Sequence, residues 1–342
     1  MFDLISDALH ANSSALGLGN EYLFNSDSHS LSVFNESGGA GGVSGHATGA
    51  VSPASTLVGN AHGLQIDLIW DSSVTSAANW RQIESAVISA AAVYTTLFTN
   101  HAVLNIGVGF GEVDGFAMAP QAVGESLSAG YVLTQDDFGP GVPAQIVAQA
   151  LSAADAGLVQ AGLMSPDAAG ALETVPGGAN VFITAAEAKA LGLVDPAAGI
   201  DGFIGLSNSV PMAFGPHVPS TSFDAITVAE HELSEVMGRV GLVGASLGPF
   251  TNLYTPLDSF RYSAPGVLAI TPGAGDYFSL TDGAFSLLPF NDPHNGGDAA
   301  DWATSPLTKG DAFNAFGPPG PEHLSLVDLL AVSALGYQVG LH

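Results

Sequence analysis

Apolar and polar side chains begin to alternate at "LQIDLIWD", where Leu64, Ile66, Leu68 and Trp70 face one way and Gln65, Asp67 and Ile69 the other. A period of two predicts a strand. The period then changes. In "SAANWRQIESAVISAAAVYTTLFTN", Trp80, Ile83, Val87, Ala91, Tyr94 and Phe98 recur at three- and four-residue steps, the signature of a long amphipathic helix. "AVLNIGVGFGEV" follows as a second strand, so the order strand, long helix, strand predicts a βαβ-type opening. Further on, the pattern predicts an edge strand at "GYVLTQDDF" and a helix at "PAQIVAQALSAADAGLVQAGL". "NVFITAAEAKALGL" reads as a strand leading into a helix, and "DGFIGLSNS" as another strand. A helix is predicted over 222–238, started by Ser222 or Asp224 and ended at Gly238. "GDYFSLTDGAFSLLPFN" reads as a hairpin turned by Asp282-Gly283, and "LSLVDLLAVSALGY" as a closing helix.

Texture divides the chain into three. Residues 1–60 are rich in Ser, Gly, Asn and Ala and are expected to be a flexible leader. Residues 61–247 carry the regular α and β patterns. Residues 248–342 turn to Gly, Pro, Asp and Asn between short apolar pieces, and are expected to form a C-terminal subdomain. The fold class expected is α+β, a mixed twisted sheet with the long helix packed on it.

Charge narrows the function. With 5 Lys+Arg against 32 Asp+Glu, the formal net charge is −27. Such a surface repels phosphate backbones and anionic lipid, so neither nucleic acid nor a membrane is an expected partner. The chain has no cysteine, which excludes disulfides, thiolate catalysis and Cys-based zinc sites. Its start, "MFDLISDALHANSSALGLGN", has no basic n-region or long apolar h-region, so no standard secretory signal is predicted. The absence of cysteine fits a bacterial exported protein, and a secreted location through a signal-independent route is the expectation.

One phrase carries chemistry: His231-Glu232-Leu233-Ser234-Glu235. On a helix, positions i and i+4 share a face, so His231 and Glu235 can converge on one metal ion. Glu232 points about 100° around the axis and can serve a water molecule as general base without ligating. That is the division of labour of HExxH, with a carboxylate in place of the second imidazole. The same letters also describe an ordinary helix surface. The context argues for a site, since three ionisable groups stand among Ile226, Val228, Ala229, Leu233, Val236 and Met237 in a chain with only 11% charged residues.

The phrase resembles the zincin metalloproteases, and among them the metzincin- or leishmanolysin-like pattern HExxHxxG. His231, Glu232 and Gly238 match, and Glu235 departs from it. The wider resemblance is to a group of exported bacterial zinc metalloproteases. It draws on "NWRQIESAVISAAAVYTTLFTNHAVLNIGVGFGEV", "AKALGL", "LDSFRYSAPG", "YFSLTDG" and "GGDAADWA", over roughly residues 63–338. The resemblance implies a zincin-like fold with a metal-site helix, bound Zn2+, and hydrolysis of a protein or peptide substrate. It places no side chain at the metzincin third-ligand position, which falls on Gly241.

A third ligand is therefore expected downstream. Asp258 in "TPLDSFRYSAPG" is the first choice, with His294 and His217 in reserve. No methionine follows Met237, so "RYSAPG" is expected to floor the site, with Tyr262 or Arg261 available to polarise a carbonyl. Each has a plainer reading: Asp258 as a turn or capping residue, Arg261 as an ion-pair partner, Tyr262 as packing, His294 and His217 as loop residues. Asp292, Asp298 and Asp301 are candidate Ca2+ ligands. The competing function is a non-catalytic exported protein that keeps the zincin scaffold for binding or structure, its site impaired by Glu235.

Overall fold

The protein is described from a computed structural model covering residues 21–25, 30–33 and 54–340. Its frame is a ten-stranded mixed sheet. In chain order the strands are β1 (Glu21–Asn25), β2 (Ser30–Val33), β3 (Ser55–Gly59), β4 (Gln65–Trp70), β5 (Val103–Phe110), β6 (Gly124–Leu133), β7 (Asn180–Thr184), β8 (Gly202–Leu206), β9 (Ala245–Leu247) and β10 (Phe250–Tyr254). The spatial order is β9-β10-β7-β6-β8-β5-β4-β3, with β1 pairing β6 and β2. Strands β4, β5 and β8 run parallel, and β6 is antiparallel to both β8 and β7.

The principal helices are α1 (Trp80–Leu97), α2 (Val142–Ala154), α3 (Ala185–Ala190), α4 (Ala225–Val236) and α5 (Leu326–Ala334). The predicted βαβ opening is present as β4-α1-β5. Helix α1 buries Ile83, Val87, Ala91 and Tyr94, and the Tyr94 hydroxyl donates to the Glu230 carbonyl of α4 at 2.7 Å. The long helix thus holds the helix that carries the HExxE phrase. Among the described residues no helix is long and apolar enough to cross a membrane.

Three expectations need correction. The 1–60 leader supplies β1, β2 and β3 to the sheet; its remaining residues lie outside those described. Local composition hid β1 because what holds it is distant, while β2 and β3 pair with their chain neighbours β1 and β4. Phe24 packs on Phe182 with ring centroids 5.6 Å apart, and Tyr22 on Phe250 at 5.2 Å. The "edge" strand is β6, an interior strand with β7 and β8 as neighbours. Its Ser126 and Ser128 face α4 and donate to the side chain and carbonyl of Glu235. The C-terminal region has no core of its own among the described residues. The β9-β10 hairpin crosses the expected 247/248 boundary into the main sheet, and Phe278, Phe290 and Trp302 share one cluster with Ile66 and Val87. The Asp282-Gly283 turn is as read, both residues having positive φ, 52° and 74°.

Of the 5 Lys+Arg, Lys189, Arg239 and Arg261 are buried. The interior takes most of the basic charge and leaves the surface almost wholly acidic. Two carboxyls are buried without such help. Asp155 Oδ2 and both Glu187 carboxylate oxygens have no hydrogen-bond partner. Burial pushes Asp155 up to about 8, and burial together with the Asp155 charge raises Glu187 well above its ordinary value. The folded chain therefore keeps protons that the unfolded chain releases above about pH 4, and stability falls as pH rises from about 4 to 8. Asp155→Asn is expected to match the parent near pH 4 and to exceed it at pH 8 by at least about 1.4 kcal/mol, the worth of one pK unit. Urea unfolding at the two pH values reads this directly; equal stability of the two proteins at pH 8 would show that Asp155 ionises in the folded chain at no cost.

Candidate metal centre

Helix α4 starts at Asp224, whose side chain accepts from the Ile226 N–H. It ends at Gly238, whose φ of 111° lets the chain turn where a side chain would be strained. The helix lies against a strip of small residues on the sheet. A side chain at Gly124 of β6 would run into Glu232 Oε1 and Val228, and one at Gly202 of β8 into Val236. Two residues along β6, Ser126 Oγ donates to Glu235 Oε2 at 2.6 Å, and Ser128 Oγ donates to the Glu235 carbonyl at 3.2 Å. The alternation Gly124, Ser126, Ser128 is what a strand needs to bring a helix close and then hold one carboxylate of it in place.

His231 and Glu235 stand one turn apart on this helix, and Asp301 comes to them from a distant loop. His231 Nε2 is 3.5 Å from Glu235 Oε1 and 3.6 Å from Asp301 Oδ1. Among the described residues these three form the one set of His, Asp and Glu side chains whose ligand atoms all lie within 4.8 Å of one another. Nδ1 of His231 lies 3.0 Å from the Ala312 carbonyl, which can only accept, so Nδ1 carries the proton and the Nε2 lone pair faces the carboxylates. The imidazole is further fixed by stacking on Phe313, with ring centroids 4.4 Å apart.

The Asp301 loop is built as a ladder of extended pieces. Asn291 N–H donates to the Asp301 carbonyl at 2.7 Å, and Trp302 N–H to the Phe313 carbonyl at 2.8 Å. Trp302 is fully buried, its Nε1 donating to Asp328 Oδ1 at 2.6 Å. Arg261 Nη2 donates to the Ala299 carbonyl. Asp301 is thus pinned on both sides, and its Oδ1 is buried with no hydrogen-bond partner.

That orphaned oxygen bears on whether a metal fits. A tetrahedral zinc ion with bonds of about 2.0–2.1 Å has ligand-to-ligand edges of roughly 3.3–3.4 Å, close to the 3.5 and 3.6 Å seen here. An imidazole with two carboxylates suits zinc or a similar transition ion better than calcium, which takes oxygen alone. The bond from Nδ1–H to a backbone carbonyl is the support a ligating histidine usually has. Burial opposes a charge on His231, but Asp301 and Glu235, with Glu232 beside them, outweigh it and hold the imidazole well above its ordinary pKa. Burial likewise raises Asp301, against the pull of His231 and Arg239.

The other sequence-derived candidates lie elsewhere. Asp258 is buried, and its Oδ2 accepts from the N–H groups of Leu242, Val243 and Thr255 at 3.1, 2.9 and 2.8 Å. It caps the short helix Pro256–Phe260 in a capping box, and it is not in the set of converging ligand atoms, where Asp301 stands in its place as the third member. Tyr262 donates to Asp282 Oδ1 at 3.4 Å and lines a separate cavity of about 580 Å3 beside α2, whose lining includes none of His231, Glu235 and Asp301. Arg261 is a buried support, 3.7 Å from Asp276. His294 is exposed and bonded to Asp292 at 2.6 Å, and His217 is exposed. Of the candidate calcium ligands, Asp301 belongs to the His231 group, and Asp292 and Asp298 do not join it.

Known proteins offer no shortcut to this centre: the chain matches no family model, no curated protein and no solved structure.

Proposed function

We propose that the protein is a zinc-dependent endopeptidase, with His231, Glu235 and Asp301 as ligands and Glu232 as general base. The observation that carries this is the three-residue set itself, with the imidazole nitrogen 3.5 and 3.6 Å from the two carboxylates and one buried carboxylate oxygen that has no hydrogen-bond partner among the described residues. The mixed sheet with α1 and α4 packed together on it is consistent with the zincin-like arrangement that the sequence suggests. When bound, the ion supplies Lewis acidity, which makes water a nucleophile near neutral pH. The residues do the rest. Ser126 holds Glu235 Oε2 and leaves Oε1 for ligation. Ala312 fixes the His231 tautomer, and Glu232, next to His231 and pressed against Gly124, takes the proton from the attacking water and returns it to the leaving amine. Gly124 leaves the strand without a side chain at the place where Glu232 needs room.

Protein purified without chelator is expected to contain stoichiometric zinc and to cleave casein. Glu232→Gln should retain the zinc and lose at least about 100-fold in cleavage, the usual share of a general base. Loss of zinc in that variant would make Glu232 a ligand and overturn the assignment.

One feature favours a second reading. The Glu235 and Asp301 side chains are only 2% and 9% exposed, and His231 17%. Closed sites of this kind are typical of structural metals. A protein that holds stoichiometric zinc, unfolds when the zinc is removed and cleaves nothing would be a non-catalytic scaffold.

A further inference from the structure

We propose that Glu322, backed by Asp224, forms a subsite that binds an ammonium group of the substrate one helical turn from His231. This rests on the reading of the centre as peptide-hydrolysing and gives that reading a substrate class. Thr227 and His231 are four residues apart on α4, hence on one face and about 6 Å apart along the axis. Glu322 Oε2 lies 3.5 Å from Thr227 Oγ1, at the level of the turn before His231. A second path fixes the same placement. The Ala312 carbonyl that accepts from His231 Nδ1 belongs to a residue whose N–H donates to the His323 carbonyl at 3.0 Å. Glu322 is therefore the neighbour of a residue two hydrogen bonds from the imidazole. A side chain at Gly317 would strike its carboxylate, so the loop leaves a gap for it there.

Glu322 is half-buried and makes no ion pair with a Lys, Arg or His among the described residues. Asp224, at the N-cap of the same helix, adds a second negative charge beside it. Burial, relieved in part by His231 and reinforced by Asp224, pushes Glu322 up to about 7. A bound cation would keep it ionised. A half-desolvated carboxylate that makes no ion pair among the described residues, near the His231, Glu235 and Asp301 set, suits the charged amine of a peptide. The amine has two sources, a free α-amino terminus or a lysine side chain near the scissile bond.

The test is calorimetric titration of the zinc-loaded full chain carrying Glu232→Gln, which separates binding from turnover. The probes are tetra-alanine amide with a free amino terminus, its N-acetylated form, and the N-acetylated form with lysine at the second position. At least one ammonium-bearing peptide should bind about tenfold or more tightly than the neutral one, as a charge-assisted hydrogen bond warrants. Adding Glu322→Gln should erase that preference and change binding of the neutral peptide by less than about twofold. Preference for the free terminus assigns the α-amino group, and preference for the lysine peptide assigns the side chain. Equal binding of all three, no binding of any, or a preference that survives Glu322→Gln overturns the subsite. Casein cleavage by the parent protein is read separately, so a subsite that binds amines in a protein that cleaves nothing refutes the hydrolysis and not the subsite.

Discussion

Asp301→Ala is expected to lower zinc affinity by at least about 100-fold, more than loss of an outer-shell contact commonly costs. Asp258→Asn is expected to leave zinc in place. Their effects on the metal-free protein should run the opposite way. Asp258 accepts three backbone N–H groups inside the protein, and trading its charge for an amide weakens all of them, at a cost of about 2–4 kcal/mol. Asp301 carries a buried oxygen with no hydrogen bond, so its loss removes an unfavourable group as well as the His231 contact. The apo stability of Asp301→Ala should stay within about 1 kcal/mol of the parent. Thermal unfolding with and without zinc separates the two. Added zinc should raise the Tm of the parent and of Asp258→Asn, because an ion that binds only the folded state stabilises it. The Tm of Asp301→Ala should barely move. Zinc bound normally by Asp301→Ala and lost from a folded Asp258→Asn would reverse the ligand assignment.

Why the sequence pointed at Asp258 and passed over Asp301 is a matter of distance along the chain. His231, Glu232 and Glu235 were legible because a helix has a fixed period: about four residues make one turn, and the two proposed ligands and the proposed base fall into place from spacing alone. The elements with strong local periodicity, β4, α1, β5 and α4, were legible for the same reason. A third ligand obeys no period. It is delivered by a ladder of backbone hydrogen bonds through Asn291, Trp302 and Phe313, and nothing in "DAADWA" announces that ladder except a tryptophan too large to be left in solvent. Asp258 looked equally isolated, but its isolation is that of a cap. The strands β1 and β3 were also missed. Their short segments have little pattern of their own; β1 is held by β6, which lies far along the chain, and β3 by the neighbouring β4. The exchange of His for Glu at 235 was visible from the start. Its supporting hydroxyl, Ser126, was not, since it sits in a strand more than a hundred residues upstream.

Arg239→Met is expected to destabilise the protein by about 3–5 kcal/mol, because it strips the partner from a buried carboxylate. Arg239 follows the glycine that ends α4 and is fully buried. Its guanidinium makes no hydrogen bond; it lies on Phe313, 3.3 Å from the ring centroid, and 4.7 Å from that of Trp302, with Nη2 3.7 Å from Asp328 Oδ1. Burial lowers its pKa, and Asp328, Asp301 and Asp311 act against that. The same Phe313 ring carries the His231 imidazole, so the cation sits just behind the centre. Charge explains why it is there. Its nearest carboxylate is Asp328, and it also acts on Asp301 of the proposed centre without occupying a ligand position. Asp328 also accepts from Trp302 Nε1 and from the Ser325 N–H and hydroxyl. Asparagine there can keep an acceptor for Trp302 while removing the charge. The double variant Arg239→Met with Asp328→Asn should therefore recover part of the loss, at least about 1 kcal/mol in a double-mutant cycle read by urea unfolding. If Arg239→Met unfolds at the parent's urea midpoint, the guanidinium is not a needed partner of buried Asp328, and the coupling argued for the pair fails.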